Sequence, residues 1–156
     1  MAEITQIDSV AKDSIQYIVV KIGSEHYGID ISYIDNIVRM TKITRVPKAP
    51  FHYRGIMNLR GEVVPVMSIR RRMGLEDDEF TDASRIIILK FEQQGLVGVV
   101  VDEVNEVLTL ANDEIDRASK STKGGKNSFI NGVGKNGDEL ISIFAIDSIV
   151  EDVEVS

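Results

Sequence analysis

With 156 residues, 43% of them apolar, and no cysteine, the chain is long enough to bury a core and has no disulfide, thiol nucleophile or cysteine metal site. No apolar run approaches the ~20 residues that cross a bilayer as a helix, and residues 1–13 lack the basic-then-apolar pattern of a signal peptide and read as a flexible tail. The net charge of −7 is unevenly spread, because Arg39 to Arg72 holds nine basic residues against one acid, a local +8 that leaves −15 for the rest.

In chain order, Gln16 to Ile22 alternates and is β-branched, and a polar turn at Gly23-Ser24-Glu25 precedes Tyr27-Gly28-Ile29, which predicts a hairpin. Ile31, Ile34, Ile37 and Val38 then recur at helical spacing behind Asp30 and Ser32, two residues suited to capping, so a short amphipathic helix of about two turns is expected. Ile43 to Val46 reads as a strand closed by Pro47, with Pro50 stiffening the connector that follows. A second hairpin runs from Gly55 to Ile69 around Arg60-Gly61, and Pro65 confines its second strand to an edge, a bulge or a barrel corner. Met73 to Ala83 is rich in acid and is expected to be an exposed connector.

Beyond it come predicted strands at Arg85 to Phe91 and Leu96 to Asp102, a short helix or turn from Glu103 to Leu108, and a helical turn between Asp113 and Ala118. Ser119 to Ser128 is polar and glycine-rich, the composition of a mobile loop. Strands resume at Phe129 to Gly134 and Glu139 to Ile146, before a short acidic helix and a tail at 151–156.

These elements are written twice. Gly55-Ile56 and Glu62 to Ile69 return 77 positions later as Gly132-Val133 and Glu139 to Ile146, and Tyr27-Gly28-Ile29 and the Ile31 to Val38 stretch return at an offset of 70 as Val97-Gly98-Val99 and Val101 to Leu108. Two ordered blocks in the same sequence order indicate a duplicated β unit. Short strands and turns in two copies predict an all-β fold with short helices: paired small barrels over residues 14–150, the first unit roughly 14–78 and the second roughly 84–150.

Catalytic chemistry finds little support. The only histidines, His26 and His52, fall in different elements, and no serine-hydrolase elbow, His-Glu-x-x-His or phosphate loop is present. The absence of a base, nucleophile or metal cluster argues against an enzyme. The basic segment 39–72 admits a nucleic-acid footprint, a docking face for an acidic protein, or a solvated strand edge, the last being the plain reading of Arg70-Arg71-Arg72 alone. Only Phe51 and Tyr53 could stack on bases there, and the acidic remainder would repel phosphate, so a protein partner surface is favoured over a nucleic-acid site.

The segments Gln16 to Val20, Tyr27 to Ile31, Ile43 to Pro47, Arg54 to Val66 and Val97 to Val104, with Gly132-Val133-Gly134, resemble the CheW family of chemotaxis coupling proteins. The likeness covers nearly all of Ser14 to Val150, and Asn58-Leu59-Arg60-Gly61 followed by Val64-Pro65-Val66 is its most specific part. It implies two SH3-like five-stranded barrels packed as one domain. It also implies a free-standing, non-enzymatic cytoplasmic adaptor without cofactor, metal, nucleic acid or direct membrane insertion. Such an adaptor joins the cytoplasmic tips of methyl-accepting chemoreceptors to the regulatory domain of the histidine kinase CheA and is recruited to membrane-associated arrays through those partners.

Carried over by position, the resemblance places a receptor-binding groove at Ile31, Ile34, Ile37, Gly55, Arg60, Val101 and Val104, and a kinase-binding surface near Ile86, Ile88, Val97 and Gly98. Two departures stand out: Asn36 where the family often has glutamate, which frees Arg60 of a partner, and Ser68 where it often has aspartate.

Overall fold

The structure, a computed structural model, describes residues 14–117 and 129–150; the expected tails, the 119–128 loop and Ala118 lie outside the described residues. Among the described residues ten strands form two sheets: β1 (Ser14–Ile22), β2 (Glu25–Asp30), β3 (Ile34–Arg39), β4 (Tyr53–Leu59), β5 (Glu62–Ser68), β6 (Arg85–Phe91), β7 (Gly95–Val101), β8 (Glu103–Ala111), β9 (Ile130–Asn136) and β10 (Glu139–Phe144). Short helices α1 (Ile69–Arg72) and α2 (Ile146–Val150) follow β5 and β10, and 3₁₀ turns occupy Ile31–Tyr33 and Asn112–Glu114.

The strand orders are β8-β1-β2-β10-β9 in the first barrel and β3-β6-β7-β5-β4 in the second. Each barrel therefore takes its opening hairpin from one sequence repeat and its other three strands from the other. The boundary near residue 80 divides the repeats, whereas the sheets exchange strands across it. Both sheets place one parallel contact at the same point, β10 on β2 through Ile143↔Gly28 and β5 on β7 through Val66↔Gly98. Each is closed by a single two-bond bridge: Thr44 with Ile56 at 2.8 Å both ways, and Asp116 with Val133 at 2.9 Å both ways. The expected strand Ile43 to Val46 is reduced to this one bridge.

Pro65 lies opposite Ile56 of β4, one residue before the parallel pairing with β7 begins at Val66. Its missing N–H therefore falls at the corner where β5 has only one neighbour.

The helix expected over Ile31 to Val38 and the short helix or turn expected from Glu103 to Leu108 are instead strand from Ile34 and from Glu103. Asp30 accepts from the Ser32 N–H at 2.9 Å and from its hydroxyl at 2.8 Å, which caps one 3₁₀ turn, and from Ile34 the backbone is extended. The helical spacing has a β origin. A bulge between Ile34 and Asn36 inserts Asp35, so Ile34 lies opposite Leu89 and Ile37 opposite Ile87, both facing the same way although three residues apart. In the second repeat a bulge at Val19/Val20 leaves Asn105 unpaired, so Val104 and Val107 share a face opposite Val20 and Ile18. An i, i+3 apolar pair across a bulge cannot be told from one turn of helix by periodicity alone.

The core has three parts. Tyr17, Val19, Leu110, Ile115, Ile141 and Ile143 fill the first barrel, and Met57, Val64, Val66, Ile86, Ile88 and Val100 fill the second. The opposite faces of the same strands meet between the barrels in a larger cluster, where Val20, Ile22, Tyr27 and Ile29 meet Ile87, Leu89, Val97, Val99 and Val101. Tyr27 and Phe144 stack there with centroids 4.6 Å apart. Apolar burial is the main stabilising term, and here most of it lies on the seam.

Candidate partner groove at the seam

Three of the expected groove residues rim the seam without being fully covered. Ile34 and Ile37 from β3 and Val104 from β8 pack half-buried against the inter-barrel cluster, whereas Val101 is inside it at 0% exposure. Ile31 sits half-exposed on the 3₁₀ turn leading into β3, and Tyr33 beside it meets Phe91 with ring centroids 5.8 Å apart. Val107, on the face of Val104, is 51% exposed and extends the apolar rim.

Gly55 has a different role. Its φ is +144°, and a Cβ there would lie 2.2 Å from the Thr44 carbonyl oxygen, so the bare backbone is what allows the closing bridge of the second barrel. It offers no side chain to a groove.

Arg60 and Gly61 form the β4–β5 tip with φ of 54° and 87°, the two positive values of a type I′ hairpin turn, and the Asn58 side-chain oxygen Oδ1 accepts from the Gly61 N–H at 3.0 Å. In the other repeat the position of Arg60 is taken by Gly137, at φ 66°. A residue with a Cβ pays about 1 kcal/mol in this region that glycine does not. The exposed guanidinium shares a cleft with Asp35, Phe91, Lys90 and Glu62, and makes no ion pair among the described residues. Asn36 does not reach it; its side-chain oxygen accepts from the Ile37 N–H at 2.8 Å.

The expected kinase-facing residues are packing residues. Ile86 and Ile88 are 0% exposed inside the second barrel, and Val97 is 1% exposed in the seam. Gly98 faces the interior so closely that a Cβ would lie 2.8 Å from a methyl of Ile86. β6 and β7 are hydrogen-bonded on both edges, which leaves none of the four a side chain or strand edge to present. In sequence β6 and β7 read as nearly continuous apolar runs, and no face stands out as solvent-facing because both faces are covered.

The basic segment and the acidic connector neutralise one another in part. Arg70 donates to Asp102 through Nε at 3.2 Å and Nη2 at 2.6 Å, and Arg71 donates to Asp77 through Nε at 2.8 Å and Nη2 at 2.9 Å. Arg72 bonds the Ser148 carbonyl at 3.2 Å and lies over Phe129. Contrary to the solvated-edge reading, all three arginines after β5 are engaged within the molecule. Nor is the connector simply exposed: the Asp78 side chain is 2% exposed, held by Arg54 at 3.1 Å and by the Ser68 hydroxyl at 2.5 Å.

Ser68 also accepts from the Arg71 N–H at 3.1 Å and so caps α1, which gives that departure a structural role. Asp102 is the joint between the barrels, accepting from the Gly23 N–H at 2.8 Å in the β1–β2 turn as well as from Arg70. Burial, the largest single influence, raises its pKa, but Arg70, the Gly23 N–H and Lys21 together outweigh it and hold the carboxyl below its ordinary value. The Arg71 guanidinium, against opposing burial, holds Asp77 well below the usual carboxylate range, with help from the Asp78 N–H and Arg54.

No group of three or more metal-ligating side chains occurs among the described residues. A shared apolar seam with a half-covered rim and the unpaired Arg60 beside it describe a surface suited to binding another protein.

The comparisons with known proteins agree in kind. A profile of the CheW-like domain matches residues 16–154. The chain is 32% identical over 134 residues to the chemotaxis protein CheW of Bacillus subtilis, covering 86% of this chain and 85% of that one. It is 27% identical over 158 residues to the chemotaxis protein CheW of Klebsiella aerogenes, covering 100% and 95%. The crystal structure of the scaffolding protein TtCheW from Thermoanaerobacter tengcongensis superposes with a TM-score of 0.79 at 29% identity, covering 91% of this chain and 89% of that one. The chain belongs to the CheW-like domain family, the non-enzymatic scaffolding adaptors of chemotaxis signalling.

Proposed function

We propose that the chain couples chemoreceptor cytoplasmic tips to the regulatory domain of the kinase CheA, with the receptor in the seam groove. The observation that carries this reading is the rim of Ile34, Ile37 and Val104, contributed by both barrels and left half-covered against the buried inter-barrel cluster. An amphipathic receptor helix would complete that burial, and Arg60 at the hairpin tip would meet a carboxylate on it bidentately.

Because Ile86, Ile88, Val97 and Gly98 are interior, the kinase contact is assigned to the outer face of the same barrel, where Val63 of β5 is 61% exposed beside Asn58. A nucleic-acid role is disfavoured, since Arg54, Arg70, Arg71 and Arg72 already have partners within the chain.

One experiment tests both surfaces. Ile34→Asp is expected to weaken receptor-tip binding about thirtyfold, the loss of a buried apolar anchor of ~2 kcal/mol, while sparing capture of the kinase regulatory domain. Val63→Asp should do the reverse. Melting curves accompany both, and an Ile34→Asp protein that melts normally and binds the tip normally overturns the groove.

A further inference from the structure

A cleft of about 480 Å³ lies between the 45–51 loop and α1, lined by Arg45, Lys48, Arg54 and Arg71 with Val46 and Phe51 and by no acidic side chain. We propose that it is a docking site for an acidic peptide segment of a protein partner, with Phe51 as the apolar contact. The proposal extends the adaptor reading above but uses none of the groove residues.

One end of the cleft already shows the chemistry. Arg71 grips the Asp77 carboxylate with two parallel hydrogen bonds of 2.8 and 2.9 Å, and Arg54 adds a third of 3.1 Å. Arg71 is held for that task by a bond from Nη1 to the Phe51 carbonyl at 3.1 Å and by lying over the Phe51 ring, 4.6 Å from its centroid. The bound carboxylate belongs to a side chain 50% exposed, on a connector, so a competing carboxylate can reach the same guanidinium.

The other end is unfilled. Arg45 and Lys48 line it and make no ion pair among the described residues. Lys48 adopts φ 67°, a left-handed conformation unusual for lysine, in the tight turn between Pro47 and Pro50. Phe51 is 70% exposed, the most exposed of the large apolar side chains described.

Two unpaired cations, an arginine pair seen holding a carboxylate, and a largely exposed ring fit a peptide that alternates acidic and apolar residues. A nucleic-acid strand fits worse, because the cleft offers it a single exposed ring for stacking: Phe51 is 70% exposed and Tyr53 is buried.

The test uses the full chain and a fluorescein-labelled ten-residue peptide alternating glutamate and leucine. Controls are the same peptide with lysine for glutamate, and a single-stranded oligonucleotide of equal charge. Binding of the acidic peptide is expected to weaken at least tenfold in Arg45→Glu with Lys48→Glu and to fall with added salt. Asp77→Asn, which removes the internal competitor, should tighten it severalfold. Ile34→Asp should leave peptide binding unchanged while weakening the receptor tip, so that failure of the groove and failure of the cleft give different results. No saturable binding of the acidic peptide, equal binding in the double variant at unchanged melting temperature, an Asp77→Asn protein that binds no tighter, or an oligonucleotide that binds as well as the peptide would each overturn the proposal.

Discussion

The two barrels are built to one plan and finished differently. Strand order, parallel contact, bulge (Asp35 and Asn105) and closing bridge occur at matching positions in both. Where the repeats part company the residues are polar or charged. Arg60 stands where the other repeat has Gly137, Ser68 where it has Ala145, and Arg70-Arg71-Arg72 where it has Asp147-Ser148-Ile149. What the copies share is packing, since two equal scaffolds need equal interiors. What they do not share is surface chemistry, and it is concentrated on the second barrel at Arg60, the basic cleft and the helix after β5. In a duplicated fold the differences between copies mark function better than the similarities do.

The largest effect expected from that comparison comes from separating the repeats. Residues 14–78 carry β1 and β2, which belong to one sheet, and β3 to β5, which belong to the other. Expressed alone, that half should have no cooperative unfolding transition by circular dichroism, and a folded half would break the exchanged architecture.

Next in size is barrel closure, where the copies differ in degree. Gly55→Ala would drive a Cβ to within 2.2 Å of the Thr44 carbonyl, whereas at the matching Gly132 the nearest atom is a methyl of Ile115 at 2.7 Å. Side chains yield more easily than backbone. Gly55→Ala should cost about 3 kcal/mol, roughly 10 °C in Tm, and Gly132→Ala distinctly less; equal losses would mean the two closures are alike.

Arg60→Gly makes the second barrel's tip resemble the first. Relief of the left-handed backbone should raise stability by about 1 kcal/mol, while receptor-tip affinity falls roughly tenfold, and unchanged affinity would reduce Arg60 to a turn residue. Its conservative partner, Arg60→Lys, should also weaken tip binding, because lysine keeps the charge and loses the bidentate fork.

Smallest is the acid response of the joint between the barrels. The Asp102 carboxyl is held below its ordinary value in the folded chain, so its stabilising contribution is fully present above the unfolded pKa of about 4 and is lost as pH falls through the lower folded value. Thermal melts below pH 5 should therefore lose stability less steeply in Asp102→Asn than in the natural chain. Parallel slopes would show that the Asp102 carboxylate, with its bonds from Arg70 and the Gly23 N–H, contributes nothing to the joint.

The duplication, the hairpins, the corner proline and the family likeness were legible in the residues because each is local or repeats in order. Ile34, Ile37 and Val104 were legible as apolar positions, and the fold places them on the rim of the seam. The helix expected at 31–38 and the helix or turn expected at 103–108 were misread for a definite reason: a bulge gives apolar residues the spacing of a helical turn. The surface expected at Ile86, Ile88, Val97 and Gly98 failed for another, since strands covered on both faces leave no alternation that distinguishes inside from outside. Nothing local announces that Asp77 and Asp78 fold back onto Arg54, Arg71 and Ser68, because those partners meet only when the connector crosses the end of the barrel.

The sequence by itself determined a two-copy β protein without evident catalytic groups, whose basic stretch suits a partner, because composition, turn chemistry and repetition act over short stretches of chain. Only the tertiary structure decided which repeat completes which barrel, which arginines remain unpaired and which isoleucines remain half-covered. Those depend on pairing between strands far apart in the chain: β1 must find β8, and β3 must find β6, before any side chain has an inside.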